Sequence, residues 1–558
     1  MKIRIRHIQR YRDIAMAFSR NGFGLIVKEL GLQDLLSFPK RFNKVEQQEI
    51  HLKTKAERIR SFLEELGPTF IKIGQIASTR PDLIPADIIH ELEQLQDKVS
   101  SFSYQEVKQI IEEELDCAIE DIFEEFQENP LAAASIGQVH YGLLKSGERV
   151  AIKIQRPNIE KIIETDLEIL QHLAELAEIR LEWAARYQLR DIIEELSKSL
   201  RAELNYTIEG QNAEKVAHQF KYNPNICVPK VYWDYTTSKV LTMEYIEGIK
   251  LNELKKMDNQ GLNRKVLAER VVQSILHQIL IEGFFHGDPH PGNIIFLPGE
   301  VIVFMDFGMV GSLSPELKQH LASLVISMMR QNTRGVIKAI TQMGLVPDDV
   351  NMKQLTADVE YLKQNYYDVP LSQLSLGKAV QELFNIAYKH HIQIPSDITL
   401  LGKTLLTIEG LVEKLDPELS ILKVAEPFGR QLLKERYHPR KVTEDVLDYV
   451  IENGEILIQL PKQLKELTAV MQKGNMRIAI TIPELNLFLT KLDRISNRLS
   501  FSIVLLSFSI IMVGLIIGSS LSRKSTLLWN LPAIEIGFGV AILMFLWLLY
   551  SIFKSGKF

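Results

Sequence analysis

The sequence predicts an α+β chain in which a two-lobed domain lies between a helical N-terminal extension and an apolar C-terminal hairpin. Three observations lead to this prediction. Two polar motifs, at residues 286–293 and 305–308, flank a predicted β-hairpin. An alternating, β-branched segment with a lysine, residues 149–154, is typical of a strand. Two long apolar runs end the chain, whose 558 residues are enough for more than one domain.

The composition is that of a globular protein. Charged residues make up 24% of the chain, hydrophobic residues 46%, and the formal net charge is −5. We expect no nucleic-acid partner. With two cysteines, Cys117 and Cys227, the sequence has no disulfide framework and fits a reducing cytosol.

The first motif, HGDPHPGN at residues 286–293, places an asparagine five positions after an aspartate. This is the spacing of a kinase catalytic loop. There the aspartate orients the nucleophile or accepts its proton, and the asparagine holds Mg²⁺. We therefore predict Asp288 as a catalytic residue and Asn293 as a metal ligand. A transition-metal site is an alternative, because His286, Asp288 and His290 have ligand spacing, but it leaves Asn293 without a role.

The second motif, MDFG at residues 305–308, supplies another carboxylate 18 positions after Asp288. In kinases the aspartate of this motif coordinates the Mg²⁺ that bridges the phosphates, and the glycine lets the backbone turn. Mg²⁺ requires hard oxygen ligands of this kind. The two motifs together predict ATP and Mg²⁺ as cofactors, with Asp306 as the second metal ligand.

The predicted strand contains VAIK at residues 150–153, whose lysine contacts the α- and β-phosphates in kinases. No G-x-G-x-x-G pattern precedes Lys153. An alanine-rich segment takes its place, where methyl groups would limit the approach of backbone amides to the phosphates and alter nucleotide preference. An ordinary alanine-rich helix start is the alternative. The predicted nucleotide-binding residues are Lys153, Ala132, Ala133, Ala134, Ser135, Ile136, Gly137, Gln138 and Val139, with Glu244, Tyr245 and Ile246 after a later strand.

The order of the predicted elements is that of a kinase fold. We predict an α+β, atypical protein-kinase-like bilobal fold with an N-lobe at 121–246 and a C-lobe at 247–440. Helical spacing of apolar residues at 46–66, 85–95 and 104–115 predicts a helical extension over 1–120. The later predicted elements are helices through 160–217, strands at 228–235 and 238–244, a helix at 271–283, a hairpin from 294–296 and 301–305, and mostly helices over 314–495.

The C-terminal segment 501–553 is predicted to cross a membrane twice, after a helical juxtamembrane segment at 441–500. Phe501–Leu521 is 21 residues without a charge, long enough to span a bilayer, and Leu531–Phe553 contains only Glu535. Basic residues outside this hairpin outnumber those in its turn. The kinase-like domain is therefore expected on the cytoplasmic side of the inner membrane. Two long buried core helices are the alternative.

Oligomeric state is left open by the same segment. Small residues let membrane helices approach closely, which would allow a homodimer, but glycine is also common in membrane helices generally. The glycines concerned are Gly514, Gly518, Gly537 and Gly539.

A further motif completes a resemblance to a known family. FIKIGQ at 70–75, followed by STRPDL at 78–83, resembles the K-x-G-Q region of the UbiB family of atypical kinase-like proteins. The alanine-rich loop, VAIK, HGDPHPGN and DFG follow in the order of that family, and its bacterial members have a C-terminal membrane hairpin. The resemblance implies that the K-x-G-Q helix covers the cleft where a protein kinase binds its peptide.

The resemblance also assigns roles to three charged residues. It implies that Lys72 meets a Glu-x-Asp motif, here AELNY at 202–206, so that Glu203 pairs with Lys72. Asn205 stands where the family often has Asp, which removes a charge from this contact. Glu209 matches the glutamate that pairs with the strand lysine, Lys153.

The function that the resemblance implies is a membrane-anchored, Mg²⁺-dependent ATPase that supports isoprenoid quinone biosynthesis, of ubiquinone or a related quinone. Its implied partners are an adenine nucleotide, a membrane lipid or quinone precursor, and quinone-biosynthesis enzymes. No A-P-E follows Gly308, which agrees with a cleft closed to peptides. Two alternatives stay open: phosphotransfer to a small molecule or lipid, with Asp288 as base, and a non-catalytic scaffold switched by nucleotide.

Overall fold

The structure is a computed structural model that describes residues 8–31, 53–95 except 82, 100–343 except 187, 330 and 331, 350–367, 375–436 except 391 and 393, and isolated helical positions between 503 and 543. Residues 1–443 form one compact unit and residues 444–558 another. In the part of the chain so described, no helix is both long and apolar enough to cross a bilayer. The juxtamembrane segment and most of the predicted membrane hairpin lie outside the described residues, so both stay predictions.

Within its described residues the N-terminal extension is helical, as predicted. A capping box starts one of its helices, since the Thr54 side chain accepts from the Glu57 amide and the Glu57 carboxylate accepts from that of Thr54. Gly67, at φ 92°, separates this helix from the next, which begins with Pro68 at its first position. The helices are α1 (Ile8–Arg20), α2 (Gly24–Glu29), α3 (Lys55–Leu66), α4 (Pro68–Ala77), α5 (Ala86–Leu92) and α6 (Tyr104–Leu115).

An antiparallel sheet forms the first lobe. After the short helix α7 (Ile119–Ile122), its strands are β1 (Phe123–Phe126), β2 (Ala132–Ala133), β3 (Gly137–Leu144), β4 (Arg149–Gln155) and, after β5 (Ile226–Cys227) of the other lobe, β6 (Val240–Glu244). The order is β1-β3-β4-β6, with β2 paired to β3. Lys153 lies in the third strand of this order, opposite Val139 and Leu241. The strand predicted around Lys153 is confirmed.

Helices fill the interval between β4 and β5. They are α8 (Ile159–Arg180), α9 (Glu182–Arg186), α10 (Leu189–Glu203) and α11 (Tyr206–Gln219). The N-terminal extension packs on the first of them: Arg10 of α1 forms an ion pair of 2.7 Å with the buried Asp166 of α8. Ile14, Phe70 and Leu173 belong to one apolar cluster that joins α1, α4 and α8. The extension is thus fixed to the first lobe through α8.

The strand predicted at 228–235 is present only as a single antiparallel bridge, between Val231 and Met243 of β6. Residues Ile226–Cys227 instead pair in parallel with a strand of the second lobe, and Trp233–Tyr235 is a 3₁₀ turn. Pro229 has no amide for a ladder. The Thr236 hydroxyl donates to the Tyr232 carbonyl at 2.8 Å, a local bond that competes with strand pairing.

The second lobe contains the predicted hairpin. After β7 (Ile249–Lys250), α12 (Leu254–Asn259) and α13 (Arg264–Leu276), a π-helical segment His277–Glu282 leads into β8 (Phe284–His286). The predicted helix at 271–283 therefore begins earlier and changes type at its end. The hairpin is β9 (Ile294–Leu297) and β10 (Val301–Phe304), in a sheet of order β5-β10-β9-β7, and β11 (Val310–Ser312) pairs with β8.

The core of the second lobe lies directly behind the two polar motifs. Phe285, Phe296, Phe304 and Phe307 are almost fully buried there. Each such burial contributes about 1.5–3 kcal/mol relative to exposure, which fixes the backbone on either side of both motifs. The remaining helices are α14 (Pro315–Met329), α15 (Thr333–Met343), α16 (Met352–Tyr367), α17 (Leu376–Lys389), α18 (Ser396–Leu415) and α19 (Ile421–Arg436).

Candidate nucleotide site

Lys153 forms a buried ion pair with Glu209 of α11. Its Nζ lies 2.8 Å from Oε2 and 3.0 Å from Oε1 of Glu209, and 4.0 Å from Oδ2 of Asp306. Burial opposes the charge of this ammonium, but Asp306 and Glu209 overcome it and raise the pKa of Lys153 well above its ordinary value. The side chain is a fixed cation at the point where β4, α11 and the DFG segment meet.

Asp306 adopts a left-handed backbone conformation that residues other than glycine rarely take. Its φ is 58°, and its Oδ1 accepts from the Gly308 amide at 3.2 Å. The positive charge of Lys153, against the effect of burial, lowers the pKa of Asp306 to about 2. The carboxylate is half exposed to the cleft and is ionised near neutral pH.

Asn212 ties α11 to the same segment, a link that the sequence gave no reason to expect. Its Nδ2 donates to the Phe307 carbonyl at 3.1 Å, and the side chain is buried. Glu209 and Asn212 lie three positions apart and so face the same side of α11. One helix face therefore holds both the strand lysine and the DFG backbone. The i, i+3 spacing of these two polar residues on a predicted helix indicates a shared face but does not identify the partner of Asn212.

The catalytic loop is ordered by the buried His286. The Nδ1 of His286 accepts from the Asp288 amide at 3.1 Å, so the proton lies on Nε2, which donates to the Met305 carbonyl at 2.9 Å. Burial lowers the pKa of His286, which keeps the ring neutral. Nδ1 of His290 accepts from the Gly292 amide at 2.9 Å. With both nitrogens of His286 engaged, the geometry disfavours the transition-metal alternative.

Asn293 and Asp306 have the donor chemistry that Mg²⁺ requires. The Nδ2 of Asn293 donates to the Asp288 carbonyl at 3.1 Å, which leaves the amide oxygen as an acceptor for a cation. Asn293, Asp306 and Asp288 line one cavity. An amide oxygen and an ionised carboxylate are hard ligands that suit Mg²⁺.

The alanine-rich segment is a β-hairpin and not a helix start. Ala132 pairs with Val139, Ala133 pairs with Gln138, and the Ala134 amide donates to the Gly137 carbonyl at 2.8 Å. Its turn consists of Ala134, Ser135 and Ile136, between β2 and β3. Gln138 is buried and accepts from the Phe102 amide at 3.0 Å, so its side chain connects the hairpin to the N-terminal extension.

Two buried hydroxyls beside this hairpin have no hydrogen-bond partner within the described residues: Oγ of Ser135 and the phenol of Tyr206. A buried hydroxyl left unpaired costs about 1–3 kcal/mol. A Cβ at Gly137 would come within 2.5 Å of the Tyr206 oxygen, so that position requires glycine. The Tyr206 ring also lies 5.1 Å from the Lys153 ammonium. These unpaired groups fit a site that binds a polar ligand.

The segment after β6 connects the two lobes. Glu244 ends β6 and its Oε2 accepts from the Lys230 amide at 3.3 Å. The Tyr245 amide donates to the Arg149 carbonyl at 2.9 Å, and its ring lies edge-on to that of Tyr141. Ile246 follows, before β7.

Helix α4 lies over the acceptor side of the site. Lys72 of α4 pairs with Glu203 of α10 at 2.5 Å, and Arg80 pairs with Glu195 of the same helix at 2.8 Å. Asn205, where an Asp was expected, caps α11 by accepting from the Thr207 amide at 3.1 Å. The cover is thus held by α10, and Asn205 serves the start of the next helix.

A cavity of about 770 Å³ lies beneath this cover. Its polar residues include Lys72, Glu203, Asp288, Asn293, Asp306 and Lys403. Apolar side chains from the extension and from the C-terminal helices line it as well: Ile84, Leu92, Leu95, Phe384 and Leu406. The structure thus brings five predicted site residues together around one cavity: Lys72, Glu203, Asp288, Asn293 and Asp306. The Lys153–Glu209 pair adjoins them through Asp306.

Comparison with known proteins gives consistent matches. The ABC1 atypical kinase-like domain matches residues 94–340, the UbiB helical domain residues 359–420, and the ABC1/UbiB kinase-like C-terminal domain residues 483–554. A probable protein kinase UbiB of Cellvibrio japonicus is 37% identical over 413 residues, 73% of this chain and 75% of that protein. An uncharacterized protein in the hydrogenase 1 5′ region of Clostridium pasteurianum is 34% identical over 90% of this chain and 94% of its own.

A plant protein also matches. The chloroplastic protein ACTIVITY OF BC1 COMPLEX KINASE 7 of Arabidopsis thaliana is 33% identical over 79% of this chain and 64% of its own length. Among solved structures, a complex of Rv3197 with erythromycin from Mycobacterium tuberculosis has a TM-score of 0.49 at 21% identity and covers 69% of this chain and 98% of that one. That likeness is too distant to add to the sequence matches.

Proposed function

The chain belongs to the ABC1/UbiB family of atypical kinase-like proteins, and we propose that it is a membrane-anchored, Mg²⁺-dependent ATPase that supports isoprenoid quinone biosynthesis. The observation that carries the proposal is the charge arrangement of the cleft. A buried Lys153–Glu209 pair lies 4.0 Å from an Asp306 whose pKa is lowered to about 2. Shifted groups of this kind, gathered in a cleft, are typical of functional sites.

Each residue has a role in this proposal. Lys153 binds the α- and β-phosphates, and Glu209 holds its ammonium in place. Asp306 and Asn293 hold Mg²⁺, which neutralises phosphate charge when bound. Asp288 orients the attacking water and takes its proton.

The cover over the cleft supports a small or lipid acceptor in place of a polypeptide. Helix α4 occupies the acceptor side and is held there by the Lys72–Glu203 ion pair, while Arg80, three residues after the helix ends, pairs with Glu195. The proposed setting is the cytoplasmic face of the inner membrane, with residues 501–553 as the anchor and a membrane lipid or quinone precursor as partner. This setting rests on the two long apolar runs of the sequence, Phe501–Leu521 and Leu531–Phe553.

The test is phosphate release by the purified full chain, in lipid vesicles and in detergent, with and without Mg²⁺. We expect Mg²⁺-dependent turnover that Asp306→Asn abolishes. Glu418→Gln, which replaces an exposed carboxylate on the same lobe, is the matched control and should leave turnover unchanged. A wild-type protein with no more turnover than Asp306→Asn would refute the ATPase. Mass spectrometry of quinone intermediates after deletion of the gene tests the biosynthetic role.

One observation favours phosphotransfer to a lipid or small molecule as a second candidate. The cavity that contains Asp288 is also lined by apolar side chains, among them Leu92, Phe384 and Leu406. An acceptor hydroxyl on an apolar molecule would lie there beside the carboxylate. Incubation with γ-labelled ATP and total lipid extract distinguishes the candidates, because transfer labels lipid and hydrolysis releases only labelled phosphate.

A further inference from the structure

Helix α18 is docked directly on the catalytic loop. The hydroxyl of Thr404, fully buried, lies 3.1 Å from the Gly287 carbonyl oxygen. A Cβ at Gly287 would come within 2.8 Å of Leu400, so the helix approaches the loop as closely as a glycine allows. At the start of α18, Asp397 accepts from the Ser312 amide at 3.1 Å. These contacts fix the helix in both position and rotation.

This docking brings a second lysine to the site. Lys403 precedes Thr404, and its Nζ lies 3.6 Å from Oδ1 of Asp288. The Lys403 side chain is 21% exposed and that of Asp288 is 26% exposed, so the pair is partly buried. Lys403 lines the same cavity as Asn293 and Asp306. The other lysine of the site, Lys153, lies next to Asp306.

The catalytic loop itself supplies no permanent cation. Residues 286–293 contain neither lysine nor arginine. A triphosphate bound there would meet the carboxylates of Asp288 and Asp306, and negative charge on the transferred group must be offset where it lies. A lysine is a mobile point charge with three donors, which suits phosphate oxygens. The position of Lys403 places such a charge beside the residue that receives the nucleophile's proton.

We propose that Lys403 is a catalytic residue that binds the terminal phosphate of the nucleotide, supplied to the kinase-like site by a helix of the C-terminal helical region. This inference rests on the proposed function. In the step, the water oxygen forms a bond to the γ-phosphorus while the bond to the β–γ bridging oxygen breaks. ADP leaves with the electron pair of that bond, and the proton of the water passes to Asp288. Lys403 offsets the charge on the oxygens of the transferred group.

This role differs from that of a residue that only holds Asp288 in place. A phosphate contact of this kind exists with ATP and not with ADP, so its loss weakens ATP binding more than ADP binding. A lysine that only positions Asp288 would affect turnover and leave the ratio of the two affinities unchanged. The ratio of dissociation constants therefore separates the two roles.

The experiment compares Lys403→Met, Lys403→Arg and Lys414→Met in the full chain in lipid vesicles. Lys414 lies on the same helix and is exposed, so it is the matched control. Isothermal titration gives Kd for Mg·ATP and Mg·ADP, phosphate release gives kcat, and thermal melting checks folding. We expect Lys403→Met to lower kcat about 100-fold, as for the loss of one donor to a developing charge. It should weaken ATP binding about tenfold more than ADP binding, an effect of one charged hydrogen bond.

Lys403→Arg keeps the charge and should retain most of the preference for ATP, and Lys414→Met should match the wild type. A Lys403→Met protein with kcat within twofold of the wild type would overturn the proposal. So would a reduced kcat with an unchanged ratio of ATP to ADP affinity. These two outcomes can be interpreted only if the wild-type protein binds nucleotide and hydrolyses ATP. A wild type that binds no nucleotide would instead overturn the proposed function and this inference with it.

Discussion

Replacing Glu209 by Gln removes the charge that faces Lys153 and leaves the shape of the side chain. The two side chains are 6% and 16% exposed and meet at 2.8 Å, so solvent does not screen the pair. Loss of one partner of a buried pair costs about 3–5 kcal/mol. Two features reduce this figure: the Gln carbonyl still accepts one bond, and Asp306 remains 4.0 Å from the ammonium. We expect the free energy of unfolding to fall by about 2 kcal/mol.

The assay is urea unfolding of Glu209→Gln, Lys153→Met and the double variant. Since Lys153→Met removes the charge that Glu209 neutralises, the double variant should recover part of the loss, with a coupling energy of about 2 kcal/mol. Glu214→Gln, exposed on the same helix, is the control. Its amide oxygen can still accept the bond that the Trp233 indole donates to Glu214, so stability should change by less than about 0.5 kcal/mol. A coupling energy below about 0.5 kcal/mol would refute the view that Glu209 holds the strand lysine.

Three further predictions follow from the same geometry. Because the pKa of Asp306 is lowered to about 2, its ionised form stabilises the folded state at pH values above the ordinary pKa of an aspartate, and this stability is lost as the pH falls toward 2. Mg·ATP affinity should therefore show no titration by this group between about pH 5 and 8. Asp306→Asn should remove the Mg²⁺ dependence of binding at every pH in a titration series. Gly287→Ala should lower stability by about 1–3 kcal/mol in urea unfolding because its Cβ meets Leu400, and adding Leu400→Ala should restore ATP turnover relative to the single variant; no restoration would contradict that contact. Lys72→Ala should loosen the cover that Glu203 holds and raise self-phosphorylation measured with labelled ATP. An unchanged signal would argue that the Lys72–Glu203 pair does not hold the cover in place.

The atypical kinase-like fold was predictable because its signals are local. The spacing from Asp288 to Asn293 and the alternation around Lys153 each lie within a few residues, and the predicted strand and hairpin are confirmed. The strand predicted at 228–235 shrinks to one bridge at Val231, for a reason that composition does not reveal. Its residues favour a strand, but Pro229 and the bond from Thr236 to Tyr232 direct the chain into a turn.

The contacts that complete the site were not predictable, since they join positions far apart in the chain. Asn212 meets the DFG segment 95 positions away, and Thr404 meets Gly287 at a separation of 117. Neither residue belongs to a motif, and a polar residue on an amphipathic helix usually faces solvent. The resemblance to the family predicted the pairs Lys72–Glu203 and Lys153–Glu209, whose spacing alone gives no such information.

The acceptor side of the cleft is built from helices at both ends of the kinase-like core. Helix α4 covers it from the N-terminal extension, through the 2.5 Å pair of Lys72 and Glu203. Helix α18 limits it from the C-terminal side, where Leu400 packs on Gly287 and Lys403 meets Asp288. The surface that receives an extended peptide in a protein kinase is thereby replaced by a partly open cavity of about 770 Å³. A space of that size suits a small molecule or one end of a lipid, so an acceptor has to enter beneath the cover, and loosening either helix should change which acceptors reach Asp288.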